Sequence, residues 1–118
     1  MTPGAQLRRV VIESPYGGHT ERNVAYARRC MADCLKRGEA PIASHLLYTQ
    51  PGILDDSDPE QRRLGMEAGF AWNELADATV VYTDLGISAG MREGIARAVS
   101  AGRPVEHRSL ESNSEGEQ

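Results

Sequence analysis

The chain has 118 residues, 40% of them apolar and 25% charged, with a net charge of −4. That length suits one domain and that composition supports a hydrophobic core, which excludes a disordered chain, while the acidic balance argues against a surface that tracks a nucleic acid backbone. No stretch approaches the roughly 18–20 apolar residues of a membrane span, and the N-terminal MTPGAQLRR lacks the apolar centre of a signal peptide, so a cytoplasmic protein is expected.

In chain order, residues 7–14 read as a buried strand, because Val10-Val11-Ile12 is continuous and β-branched, the pattern of a parallel strand covered on both faces. Pro15 ends it. Residues 20–37 read as an amphipathic helix with Val24, Ala27, Met31 and Cys34/Leu35 inward, Thr20 as its cap and Gly38 as its stop. Cys30 and Cys34 fall on that helix, poorly placed for a mutual disulfide and too few for a metal site, and are expected as packed thiols.

Ala40 to Leu47 is a second apolar strand, ending near Ser44, and a Pro- and Gly-containing loop with Asp55 and Asp56 follows. Asp58-Pro59-Glu60-Gln61 is a helix start, with Asp as cap, Pro at the first helical position and Gln three after the cap. The helix is expected to run to about Leu75 and to turn Leu64, Ala68, Ala71 and Leu75 to the core, beside Phe70 and Trp72. Ala78 to Leu85 is the third strand, and a turn at residues 86–90 leads into a third helix with Met91, Ile95, Ala98 and Val99 inward and Gly102 as its stop. Residues 103–108 form a short fourth strand, and the acidic remainder is expected to be a disordered tail.

Strands alternating with helices predict an α/β fold: a small doubly wound, mostly parallel sheet of four to five strands with helices on both faces, of the Rossmann or flavodoxin type. In such sheets ligands bind at the carboxyl ends of the strands, which selects residues 14–20, 44–58 and 83–90.

In the first of these loops, Gly17 and Gly18 let backbone approach a ligand, and the free N–H groups near Thr20 favour a phosphate or carboxylate; the same glycines also suit a plain capped turn. Ser14, Tyr16 and His19 add polar groups that a bare turn does not need. In the third loop, Asp84, Ser88, Gly90 and Glu93 gather around another helix N-terminus. Glu93 there suits either a first-turn dipole partner or a carboxylate that binds a ribose hydroxyl or attacks an anomeric carbon. His45, after the second strand, is equally a ligand contact or a structural histidine, and His107 is expected on the surface. Asp55, Asp56 and Asp58 lack the spacing of a calcium loop and read as solvated loop and helix cap. Arg28–Arg29 and Arg62–Arg63 read as solvated helix faces, one of which could cross a subunit interface to a phosphate.

The order VVIESPYGG…ERNVAYARRC…APIASHLLY…ELADATVVYTDLGISAGMREGIARAV resembles the nucleoside 2-deoxyribosyltransferase superfamily, including its nucleotide N-glycosidase branch, over about residues 9–105. The resemblance implies a nucleoside or nucleotide as small-molecule partner, no cofactor or metal, and chemistry at the N-glycosidic bond. It implies Glu93 as nucleophile and Tyr16 as the residue that positions the sugar, with Ser88 and Gly90 near sugar or phosphate. Residues 1–107 would then be a single nucleotide-binding domain and 108–118 the tail. A homodimer or higher oligomer through the Phe70–Trp72 helix is also expected. The alternative is a binding protein that holds a nucleotide-derived metabolite or signal without turning it over.

Overall fold

The computed structural model describes residues 7–111, and residues 112–118 of the expected tail lie outside them. The elements alternate as expected: β1 (Arg8–Glu13), α1 (Thr20–Lys36), β2 (Glu39–Ile42), a short 3-10 turn (Ser44–Leu46), α2 (Pro59–Asn73), β3 (Ala78–Tyr82), α3 (Ala89–Ser100) and β4 (Val105–Arg108). The four strands form one sheet in the order β2-β1-β3-β4, every pairing parallel. This is the small α/β architecture the strand–helix alternation predicts.

The β-branched runs occupy the centre, where both sheet faces are covered. Val10 and Ile12 of β1, with Ala78, Val80 and Tyr82 of β3, pack against Tyr26, Cys30 and Cys34 of α1. The alternate residues Val11, Thr79 and Val81 are buried too, as are Met91 and Ala98 of α3. Glu13 belongs by alternation with Val11, and its carboxylate lies against α3 at Gly94. Both cysteines are free and fully buried, and burial pushes the Cys30 thiol up to about 12.

Strands at the two edges are tied together by charge. Arg108 of β4 donates to both oxygens of Glu39 of β2, at 2.8 and 2.7 Å, with the two side chains only 7% and 9% exposed. Glu106 and the Tyr82 hydroxyl also accept from Arg108, and Arg8 reaches both Glu39 and Glu106. Arg108 therefore holds the Glu39 carboxyl below its ordinary range.

Several boundaries differ from expectation, for local reasons. Thr20 is the first helical residue rather than the cap; His19 holds the cap position and makes no side-chain capping bond. β2 stops at Ile42, and Ser44 to Leu46 coil into the 3-10 turn, which lifts His45 off the strand. Asp58 caps α2 as predicted, its side chain accepting from the Glu60 N–H, but the expected apolar stripe of α2 is largely in solvent: Leu64, Trp72 and Leu75 are 54%, 55% and 59% exposed. Gly69 is the residue of α2 that is buried. On α3, Val99 faces solvent and Gly94 takes the inward position between Met91 and Ala98. At the C-terminus, residues 108–111, expected in the tail, are held: Arg108 by the cross-sheet pair, and Ser109 and Leu110 by Asp84.

Candidate active-site crevice

The carboxyl ends of β1 and β2 open into a crevice of about 140 Å³ whose wall includes Glu13, Tyr16, His45, Arg62, Phe70 and Gly90. β1 ends at Glu13, and the Ser14-Pro15 step that follows brings Tyr16 into the crevice wall. Asn23, buried in the first turns of α1, donates its amide to the carbonyls of Tyr16 and Gly17 at 2.8 and 3.0 Å, which pins this loop. The 3-10 turn carries His45 across to meet it. The Tyr16 and His45 rings lie 5.4 Å apart at an angle of 47°, a tilted aromatic contact, and Ser14 Oγ is 3.2 Å from His45 Nε2.

Burial pushes the His45 ring down to about 4, which leaves the imidazole neutral near pH 7 and able to serve as donor or acceptor. The Glu13 carboxyl moves the other way: burial pushes it up to about 8, against the opposing pull of the Arg103 charge. The crevice thus offers an uncharged imidazole, a carboxyl group that keeps its proton near neutrality and the phenol of Tyr16, with Arg62 and Asp56 from the opposite wall.

The other anticipated residues are distributed differently. Gly90, in the first turn of α3, reaches the crevice. Gly17, Gly18, His19 and Thr20 are exposed, and Gly18 adopts φ +88°, so the glycine pair performs the turn that carries the chain into α1. Ser88 caps α3, its hydroxyl accepting from the Met91 N–H at 3.2 Å. Asp84 is engaged elsewhere: it accepts from the Tyr26 hydroxyl at 2.5 Å, the Ser109 hydroxyl at 2.6 Å and the Leu110 N–H at 3.0 Å. Partial burial works to raise its pKa, yet these hydrogen bonds prevail and hold it at about 2. Asp84 therefore latches the segment after β4 to α1 rather than lining the crevice.

Glu93 is also separated from Tyr16. Its side chain is 49% exposed, pairs with Arg97 one turn on at 3.7 Å, and borders a second groove between α2 and α3. Phe70 and Asn73 form the wall common to groove and crevice. Arg97 stacks over the Phe70 ring at 3.8 Å and so closes that wall. Glu13 is the crevice residue that pattern reading passes over, and Arg62, read there as part of a solvated helix face, lines the crevice of its own chain. The signal for Glu13 was an acidic residue at an inward position directly after Val-Val-Ile, where a solvated glutamate has no reason to be. Among the described residues no three His, Cys, Asp or Glu side chains converge as a metal site.

The four parallel strands and three helices make a small α/β fold similar to that of a deoxyribosyltransferase. A solved structure of the 2-deoxyribosyltransferase from the psychrotolerant bacterium Bacillus psychrosaccharolyticus superposes with a TM-score of 0.61 at 17% identity, covering 86% of this chain and 72% of that one. The chain belongs to the family described as a domain of unknown function, DUF7768, whose model matches residues 8–108. No curated protein sequence matches significantly.

Proposed function

We propose that the protein binds a nucleoside or nucleoside monophosphate in the crevice at the carboxyl ends of β1 and β2 and acts on its N-glycosidic bond, as a hydrolase or deoxyribosyltransferase. The observation that carries this reading is the convergence of Tyr16, His45 and the Glu13 carboxyl in one small cavity at the position where parallel sheets bind ligands. The likeness of 86% of the chain to a 2-deoxyribosyltransferase supports it at the level of the fold. Tyr16 and His45 offer a ring face for the sugar or base, and Arg62 a charge for a 5′ phosphate. The chain is proposed to work in the cytoplasm and, like many small α/β proteins with an open edge, as a homo-oligomer.

The test is release of free base, followed by chromatography, from a panel of ribo- and deoxyribonucleosides and their monophosphates. Release that falls at least tenfold in Tyr16→Ala supports the reading; no release from any member sinks the enzymatic form.

A second reading, a protein that binds the nucleotide and returns it intact, is favoured by one observation: Glu93, the carboxylate that the resemblance makes the nucleophile, lies in the neighbouring groove paired with Arg97. Calorimetric binding with quantitative recovery of unaltered ligand supports that form.

A further inference from the structure

The Glu13 carboxylate lies where a side chain on Gly94 would be. A Cβ built on Gly94 would stand 2.5 Å from Glu13 Cδ and 2.8 Å from Oε1, with Oε2 nearer still. Gly94 is buried on the inward face of α3, so its missing side chain leaves a slot between helix and sheet, and the end of β1 fills that slot with a carboxyl group. Among the described residues nothing hydrogen-bonds or ion-pairs with this carboxyl. Glu13 is half-buried rather than sealed, and since no fully buried side-chain oxygen among the described residues lacks a partner, this unpartnered carboxyl keeps some exposure. The cavity wall that includes Glu13 also includes Tyr16, His45 and Gly90, the last one turn of α3 before Gly94, so the residue borders the proposed ligand site.

From this geometry we infer that Glu13, housed by Gly94, is the acid of the crevice and protonates the departing base. The inference rests on the nucleoside reading above and names the group that does its chemistry. As the C1′–N bond breaks, its electron pair moves onto the ring nitrogen of the base, and that nitrogen takes the proton of the Glu13 carboxyl. Water adds to C1′ and releases its spare proton to solvent, from which the Glu13 carboxylate is reprotonated. Free sugar, free base and the original carboxyl result, and no other reactant is consumed.

Burial keeps the Glu13 proton in place up to about pH 8, which is the condition a general acid needs near neutrality. The titratable and charged groups around it are Tyr16 on the loop after β1, His45 on the 3-10 turn, Asp56 and Arg62 on the α2 side, Glu93 beside Gly94 on α3, and Arg103 after α3. Arg103 is fixed by a 3.0 Å bond from its Nε to Thr79 Oγ1, so its charge is a constant background rather than a mobile partner.

The experiment compares wild type, Glu13→Gln, Gly94→Ala and Glu93→Gln in base release, pH profile and thermal unfolding. Glutamine fits the same slot but has no acidic proton, so kcat is expected to fall by about 10²–10⁴ with KM nearly constant, the range that loss of a general acid gives. The wild-type kcat/KM is expected to decline above about pH 8, and the residual activity of Glu13→Gln to lack that limb. Gly94→Ala pushes the flexible end of Glu13 out of the slot without touching backbone, so a folded protein with a rate at least tenfold lower is expected. A loss that follows Glu93→Gln, with Glu13→Gln at the wild-type rate, overturns the inference and leaves the nucleoside reading standing. Binding of intact nucleotide without turnover also overturns the acid role, and the absence of both binding and turnover overturns the two together.

Discussion

A carboxyl group and an imidazole share the crevice, and folding treats their protons in opposite ways. Glu13 is pushed up from 4.5 to about 8, so the folded chain holds a proton that the unfolded chain gives up earlier. Its contribution to stability is complete below about pH 4.5 and is lost as the pH climbs through 8. His45 is pushed down from 6.5 to about 4, so its contribution is complete above 6.5 and is lost as the pH falls through 4. Thermal unfolding midpoints measured from pH 4 to pH 9 should therefore fall toward both ends, with Glu13→Gln flattening the alkaline side alone; an unchanged alkaline slope in that variant contradicts the burial of the carboxyl. At this scale the sequence was half readable. Tyr16 stands out because an aromatic ring beside glycines at a strand end has few structural uses, while His45 reads equally as a ligand contact or a structural histidine until the 3-10 turn sets it against Tyr16. Glu13 does not stand out, because its significance is made by Gly94, a residue on another element whose meaning is the absence of a side chain.

Periodicity carries the elements whose apolar pattern has a single explanation. β1 and β3 are continuous β-branched runs and occupy the two central positions of the sheet; α1 and α3 carry their buried residues at three- and four-residue spacing. α2 defeats the same logic, since Leu64, Trp72 and Leu75 are apolar and yet exposed, while the helix makes its close approach through a glycine. A Cβ on Gly69 would stand 2.8 Å from Ser44 Cβ, so this glycine lets α2 lie on the 3-10 turn that presents His45. Gly69→Ala should cost about 1–3 kcal/mol, as overpacking of a tight contact does, read from the urea midpoint. It should also disturb ligand binding more than a surface alanine substitution does, because the displaced turn carries His45. The β2 boundary was misjudged for a related reason: Pro41 within the strand lacks an N–H, which is tolerated only at a sheet edge, and a strand so interrupted is short.

For the whole molecule, one group of exposed apolar residues lies beside an edge of the sheet. β2 is an edge strand, and beside it Ile42, Leu47, Tyr48, Ile53 and Trp72 surround a shallow depression. Leu47, Ile53 and Trp72 are each at least 44% exposed, and such a patch on a small acidic protein is ordinarily covered by another surface. A second copy of the chain is the economical partner, because self-complementary patches related by a two-fold axis close into dimers. The prediction is a homodimer by light scattering. Trp72→Glu should convert it to a folded monomer, since the side chain is more than half in solvent within one copy and contributes little to that copy's own core. A wild-type monomer at every concentration tested contradicts the dimer, and a Trp72→Glu protein that loses its helical circular dichroism contradicts the assignment of this residue to an interface. Because the 3-10 turn that carries His45 continues directly into Leu47 and Tyr48, an interface here would bear on the crevice as well as on the edge strand. Dissociation by Trp72→Glu is therefore expected to weaken nucleotide binding along with assembly.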